Sequence, residues 1–295
     1  MFKFIMSLLC VVFLSVVCNA QSYDLDEIKK RGELRHIGVP YAKFITGLGD
    51  GLSVDIIKEF TKYLGVKYIY VESSWANVLS DLSGKKFKVD GDNIKILGET
   101  KAKGDLIGTG LTILPWRKKL VNYANSATFP SQVWLMAKAS DSITPIVPTN
   151  DILKDIELTK MKLKNHSVLG KAKTCLDPAL YNLSKYAKEI KLFNGSVNDL
   201  IPASISEHNT GATILDVPDA LIALEKWTGK IKVIGPISEK QTLAVAFPKT
   251  SPRLKKEFDI FFKEFKRSGK YMLYVKKYHS EISILKLTFP NFFKR

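Results

Sequence analysis

The stretch DLIGTGLTILPWRKKLVNY, residues 105–123, decides how the rest of the chain is read. Its apolar start reads as a short strand that gives way to small residues and hydroxyls at Gly108, Thr109, Gly110 and Thr112. The chain then turns at Pro115 and delivers one arginine, Arg117, beyond the strand end. In an open α/β sheet, the space outside the carboxyl ends of the strands is where ligands bind. A guanidinium there presents a planar fork of donors that matches a carboxylate through two charge-assisted hydrogen bonds. Thr112 can add a hydroxyl and a backbone amide. The plainer alternative is a surface arginine beside Lys118 and Lys119.

Outward from this stretch, strands and helices alternate. Asp24 or Asp26 caps a short helix that Gly32 stops, and residues 34–39 follow as a strand. Ser53 is expected to cap a helix over 54–64, with Val54, Ile57, Phe60 and Leu64 on one face and Gly65 at its end. Residues 66–71 form the next strand, and Trp75, Val78, Leu79 and Leu82 line a helix that Gly84 closes. Residues 85–104, rich in lysine and glycine, read as an exposed excursion or hairpin. Residues 132–137 make a compact apolar strand, and 140–150, with Pro145 and Pro148, read as a boundary. A second alternating set follows: a helix from Asp151, strand 167–169, a helix opened by Asp177 and Pro178, strand 190–193, a helix from Val197, strand 212–215 and a helix after Pro218. Residues 243–247 are apolar again. Ser251 and Pro252 open a long helix with Leu254, Phe258, Phe261, Phe262 and Phe265 inward, ending near Gly269. Strands separated by helices imply parallel sheets, and two such sets imply two α/β lobes. Composition alone would place the lobes one after the other.

Three further segments bring chemistry to strand ends. In 39–44 and 51–55 a strand ends in Tyr41 and Phe44 and a helix starts shortly after. In 212–220 an apolar strand delivers Asp216 at its carboxyl end, where it also suits an N-cap for the helix beginning at Pro218. Between them, residues 170–175 (GKAKTC) lie where a strand passes into a helix, whose free backbone amides favour an anionic group. Cys175 reads as a packed small residue rather than a nucleophile.

The Gly110-x-Thr112 stretch with Arg117, the Val39–Phe44 aromatics and the 212–220 strand together resemble the family 3 extracytoplasmic solute-binding proteins, the amino-acid receptors of ABC importers. The resemblance covers nearly all of the chain after residue 20. It implies an α/β, two-lobed, periplasmic-binding-protein-like type II fold, each lobe a mostly parallel sheet flanked by helices, joined by two hinge strands at 132–137 and 243–247. The expected division is a signal peptide at 1–20, one lobe from 21–136 and 244–295, and a second lobe from 137–243. The resemblance also implies the roles. Gly110, Thr112 and Arg117 hold the ligand's carboxylate with help from Thr174, Asp216 receives its ammonium, and Tyr41, Phe44 and Trp75 meet its side chain. There are departures. Leu114 stands where the family often has a second hydroxyl, Ser53 where an acid is common, Lys173 where a glycine is common, and 85–104 is an insertion.

The N-terminus is consistent with export. Lys3, an apolar run over 4–17 and Cys18-Asn19-Ala20 make a secretory signal peptide cut after Ala20, too short in its apolar part for the ~20 residues that span a bilayer. Cleavage leaves Cys175 as the one cysteine of the mature chain, hence no internal disulfide. The whole chain carries 45 basic and 29 acidic residues, a net +16 that becomes +15 without Lys3. Only six of the basic residues are arginine and the lysines are spread throughout, which reads as a solvated surface rather than a nucleic-acid site. His36, His166, His208 and His279 show no metal-ligand spacing, and no nucleophile motif, P-loop or dinucleotide fingerprint is present. The expectation is a periplasmic or extracellular monomer, not an enzyme, with no cofactor and no metal. Its partners are a small amino-acid-like zwitterion and the permease subunits of an ABC importer. The alternative is a free-standing accessory or sensory binding protein that acts through a periplasmic partner such as a dehydrogenase.

Overall fold

The computed structural model describes residues 24–206 and 210–280. The expected signal peptide, with Cys10 and Cys18, and His208 lie outside the described residues.

In chain order the elements are α1 (Leu25–Arg31), β1 (Glu33–Gly38), α2 (Leu52–Leu64), β2 (Lys67–Glu72), α3 (Val78–Ser83), β3 (Lys85–Asp90), β4 (Asn93–Glu99), β5 (Leu106–Ile107), α4 (Pro115–Lys118), β6 (Val121–Tyr123), β7 (Phe129–Ser131), β8 (Val133–Lys138), α5 (Ile152–Met161), β9 (Ser167–Gly170), β10 (Glu189–Leu192), α6 (Leu200–Ser206), β11 (Ala212–Asp216), α7 (Val217–Lys226), β12 (Ile231–Pro236), β13 (Gln241–Leu243), β14 (Ala246–Pro248), α8 (Pro252–Arg267) and α9 (Lys270–Tyr278). They build two five-stranded sheets, ordered β2-β1-β5-β14-β6 and β10-β9-β11-β8-β12. In each sheet four strands run one way and the fourth in order runs against them. The reversed strands, β14 and β8, are those the chain enters just after passing from one sheet to the other. The passage itself is the antiparallel pair β7 and β13, registered Gln241 on Ser131 and Leu243 on Phe129.

The sequence expectation of hinge strands at 132–137 and 243–247 is therefore off by a few residues. Both stretches are apolar because they are sheet strands: Val133, Leu135 and Met136 are fully buried within the second sheet, and Ala246 and Phe247 within the first. The boundary expected at 140–150 is instead a surface crossing inside the second lobe, tied back by the Ile146 N–H to the Ile234 carbonyl at 2.9 Å.

Local chemistry explains the elements. Asp24 accepts from the Leu25 N–H to cap α1, and Gly32, at φ 74°, ends it. Ser53 does not cap α2, which begins one residue earlier after Gly51. The inward face of α8 buries Leu254, Phe258, Phe261, Phe262 and Phe265, and Phe258 meets Phe60 of α2 edge-on at 5.1 Å. Each such phenylalanine contributes on the order of 1.5–3 kcal/mol by leaving water. Residues 85–104 form the β3–β4 hairpin, with Phe87 turned toward Trp116 at 6.0 Å. The helix α9 has no counterpart in the sequence reading, since its apolar positions are interrupted by lysines and tyrosines. No helix among the described residues is long and apolar enough to cross a membrane.

Candidate functional site

The loops after β1, β5, β9 and β11 all leave the carboxyl ends of their strands, and they meet between the two sheets. The β1 loop folds back on itself through paired hydrogen bonds between Tyr41 and Ile45, with Ala42 at φ 45°. This sets Tyr41, almost fully buried, stacked on Phe44 at 5.8 Å and edge-on to Trp75 at 5.4 Å. Phe44 is wholly buried beneath, against Phe129 at 5.4 Å and His279 at 5.0 Å. Gly110, at φ 64°, passes directly over the Phe44 ring, and a β-carbon there would stand 2.7 Å from Phe44 Cδ2. Glycine is thus required twice at this turn, by conformation and by space.

Arg117, only 2% exposed, sits on α4 and is held by the Trp116 ring at 5.2 Å. Its Nη1 donates to the Thr112 carbonyl at 2.9 Å, which also accepts from the Tyr123 hydroxyl at 3.1 Å. Its Nη2 reaches across to the Lys173 carbonyl of the second lobe at 3.4 Å, and its Nε has no partner. Asp216, 1% exposed, ends β11 at the mouth of α7. Its Oδ2 accepts from the Tyr41 hydroxyl, with the Cys175 thiol at 3.9 Å, while Oδ1 has no partner. Burial, only partly opposed by the Tyr41 hydroxyl and by nearby backbone N–H groups, pushes its carboxyl up to about 6. No side-chain hydrogen bond from Asp216 caps α7. Burial and the neighbouring Asp216 charge likewise push the Cys175 thiol up to about 12, which leaves it a neutral wall residue rather than a thiolate.

Between these groups lies a cavity of about 10 Å³, lined by Tyr41, Trp75, Gly110, Thr112, Arg117, Thr174, Cys175, Leu176, Val197 and Asp216. That is room for about one water. The structure thus brings together seven of the eight residues singled out in the sequence. Phe44 is the exception. It does not line the cavity but supports Tyr41 and Gly110 from below, because the Tyr41–Ile45 turn points it inward. Residues 170–175 hold no helix start of their own, and the helix expected from Asp177 and Pro178 does begin there, capped by Asp177, but as a single 3₁₀ turn. The 170–175 segment is a turn in which the Thr174 hydroxyl donates to the Lys171 carbonyl at 2.8 Å. Lys173 sits at φ 63°, a conformation that glycine adopts without strain. Among the described residues no group of histidines, cysteines or acids could hold a metal.

His36 is fully buried away from this cavity. Its Nε2 lies 2.7 Å from the Gly108 carbonyl, and burial lowers its pKa to about 4, so it is a neutral core residue that fixes the start of the Gly110 turn.

The model of bacterial extracellular solute-binding proteins, family 3, matches residues 94–281, more than half of the chain. The chain belongs to this family. Among curated proteins no sequence matches. Solved structures do match. A putative binding component of an ABC transporter from Wolinella succinogenes, complexed with lysine, is 20% identical with a TM-score of 0.66, over 84% of this chain and 96% of that one. A mutant of ArgBP from T. maritima is 21% identical with a TM-score of 0.64, over 87% and 99%. An ancestral amino-acid-binding protein, a precursor of cyclohexadienyl dehydratase, is 22% identical with a TM-score of 0.64, over 86% and 98%. At these identities the likeness establishes the two-lobed α/β fold.

Within this solute-binding fold the cavity wall contains residues that the sequence reading left out. Leu176 and Val197 are ordinary apolar positions with no signal. Asp219, buried in α7 three residues after Asp216, lines a second cavity instead and carries a signal as the second acid of Asp-Val-Pro-Asp.

Proposed function

We propose that this solute-binding protein is an exported receptor that closes its lobes on a small amino-acid zwitterion and delivers it to the membrane subunits of an ABC importer. The observation that carries the reading is the pairing of one buried guanidinium from the first lobe with one buried carboxylate from the second around a single enclosed space, each with an unpartnered polar atom. Opposite charges fixed at the two ends of a buried cavity suit a ligand that carries the complementary pair. Arg117 and Thr112, with Thr174, take the carboxylate, Asp216 takes the ammonium, and Tyr41 and Trp75 face the remainder. The lobes move about the β7–β13 pair, a hinge of three residues on each strand. On this reading residues 1–20 act as a signal peptide, and the receptor works in the periplasm or outside the cell.

The test is thermal unfolding of the mature protein, stripped of ligand, against the twenty amino acids. A ligand that binds only the folded state raises the melting temperature. Arg117→Ala and Asp216→Ala should each weaken binding of the responding amino acid by on the order of 2–5 kcal/mol, because each leaves a ligand charge unpaired. Near-normal affinity in both variants would sink the assignment.

A second reading, action through a protein partner without transport, is favoured by the β3–β4 hairpin. Lys85, Lys86, Lys88 and Lys95 are exposed there, as are Ile96 and Leu97, at 44% and 60%. Replacing the exposed Ile96 and Leu97 by serine, which leaves Phe87 against Trp116, should keep amino-acid affinity and abolish that contact.

A further inference from the structure

The ionic groups buried at the lobe junction do not balance. Arg117 is 2% exposed, Asp216 1% and Asp219 8%, so one cation faces two carboxylates. Asp219 lies in the first turn of α7, three residues after Asp216. An aspartate there is ordinary when solvated, since the helix N-terminus favours negative charge. Asp219 is instead nine-tenths buried, and its Oδ2 has no partner. Burying an unpaired carboxylate is costly, and a fold keeps one where something else supplies the partner.

The place for that partner is a second cavity of about 290 Å³, lined by Asp219 together with Tyr41, Val197, Ile222, Ala223 and Trp227. Tyr41 and Val197 line both cavities, which puts them between the Arg117–Asp216 space and this larger one. The larger cavity has an apolar wall suited to an aliphatic chain and one acid at its inner side. Of the two lysines at its rim, Lys43 lies 3.6 Å from Glu225, and Lys226 is solvent-exposed near the Trp227 ring.

We infer that Asp219 is a second cation-recognising carboxylate of the cleft, and that the ligand is an amino acid with a cationic side chain, whose net charge of +1 balances the buried site. This rests on the amino-acid-receptor reading above. Burial and the Asp216 charge favour the protonated form of Asp219, and a cationic side chain beside it favours the ionised form; with both carboxylates ionised a zwitterion leaves the junction at −1, whereas a cationic amino acid brings it to zero. On this geometry the ligand's backbone groups lie between Arg117 and Asp216, Tyr41 turns aside, and the side chain extends past it toward Asp219.

Isothermal titration of the ligand-stripped mature protein at pH 7.5 with L-arginine and with L-citrulline, its uncharged isostere, tests this. L-arginine is expected to bind at least about 30-fold more tightly, and Asp219→Asn to shrink that ratio to about 3-fold or less with L-citrulline affinity retained. The comparison within the unsubstituted protein does not depend on the variant, whose fold is checked by near-ultraviolet circular dichroism. Equal affinities, an unchanged ratio in correctly folded Asp219→Asn, or tighter binding of L-glutamate than of L-arginine would overturn the inference while leaving the receptor reading in place. If neither of these probes nor any of the other standard amino acids binds the folded protein, the receptor reading fails and this inference falls with it.

Discussion

On the proposed reading, Asp216 makes ligand binding depend on pH in a direction that its burial sets. Its carboxyl is pushed from 3.8 up to about 6, chiefly by burial. The folded chain therefore holds this proton to higher pH than the unfolded chain does. The group contributes nothing to the pH dependence of stability below about 3.8, costs stability as pH rises from there to about 6, and adds no further change above. A difference of about two units corresponds to about 3 kcal/mol lost across that window. A ligand ammonium requires the ionised form, and an amino acid keeps its ammonium protonated throughout. At pH 5 only about a tenth of Asp216 is ionised, so the apparent Kd should be about tenfold weaker than its plateau above pH 7. Of the groups facing Asp216, burial holds the Tyr41 hydroxyl well above its ordinary 10 and the Cys175 thiol up to about 12, so neither ionises in this range, whereas Asp219, itself raised by burial and by the Asp216 charge, interacts with Asp216 and broadens the step toward higher pH. The assay is isothermal titration from pH 4.5 to 8 with the amino acid that gives the largest thermal shift. Asp216→Asn should bind more weakly at pH 7.5 and lose most of the slope. A Kd that is flat between pH 5 and 8, or a slope that survives in Asp216→Asn, would refute the reasoning.

Two backbone positions give further tests. Gly110→Ala places a β-carbon 2.7 Å from the Phe44 ring at φ 64°, and should cost at least the ~1–2 kcal/mol of the left-handed conformation for a side-chain-bearing residue, read by urea unfolding. Lys173→Gly removes that strain at φ 63° while the glycine loosens the unfolded chain, for a net gain on the order of 0.5 kcal/mol. The Arg117 contact to the residue 173 carbonyl survives this change, so amino-acid affinity should hold.

The parts of this structure legible in the sequence are those written in local chemistry. Asp24 and Gly32 bracket α1, Gly65 and Gly84 end α2 and α3, and the phenylalanines of α8 repeat at helical spacing, so each element announces itself without its neighbours. The carboxyl-end residues Tyr41, Thr112, Arg117 and Asp216 were legible for a related reason, since each follows an apolar strand at the point where the strand stops. What was not legible depends on pairing across distance. The apolar content of 132–137 and 243–247 says that they are strands, but only partners such as Asp216, opposite Val133, and Tyr123, opposite Ala246, say to which sheet they belong. Phe44 and Asp219 are the same lesson at single residues. A tight turn sends the aromatic inward, and only the burial of Asp219 separates an ordinary first-turn acid from an unpaired one.

On the proposed reading, neutral groups of the chain itself meet the two poles of the cleft. The Tyr41 hydroxyl donates to Asp216 where an ammonium would, and the Lys173 carbonyl accepts from Arg117 where a carboxylate would. Each stand-in is a hydrogen bond with one charged partner, and an amino acid replaces each with a bond between two opposite charges, which is shorter and stronger. The exchange favours the ligand at both ends, yet the cavity of about 10 Å³ cannot admit it while the lobes are shut. Binding therefore requires opening first, breaking the Tyr41–Asp216 and Arg117–Lys173 contacts together, since both cross between the lobes. The ligand then gains only the difference between its own contacts and these, so removing the Tyr41 hydroxyl alters the opening equilibrium before it touches the ligand.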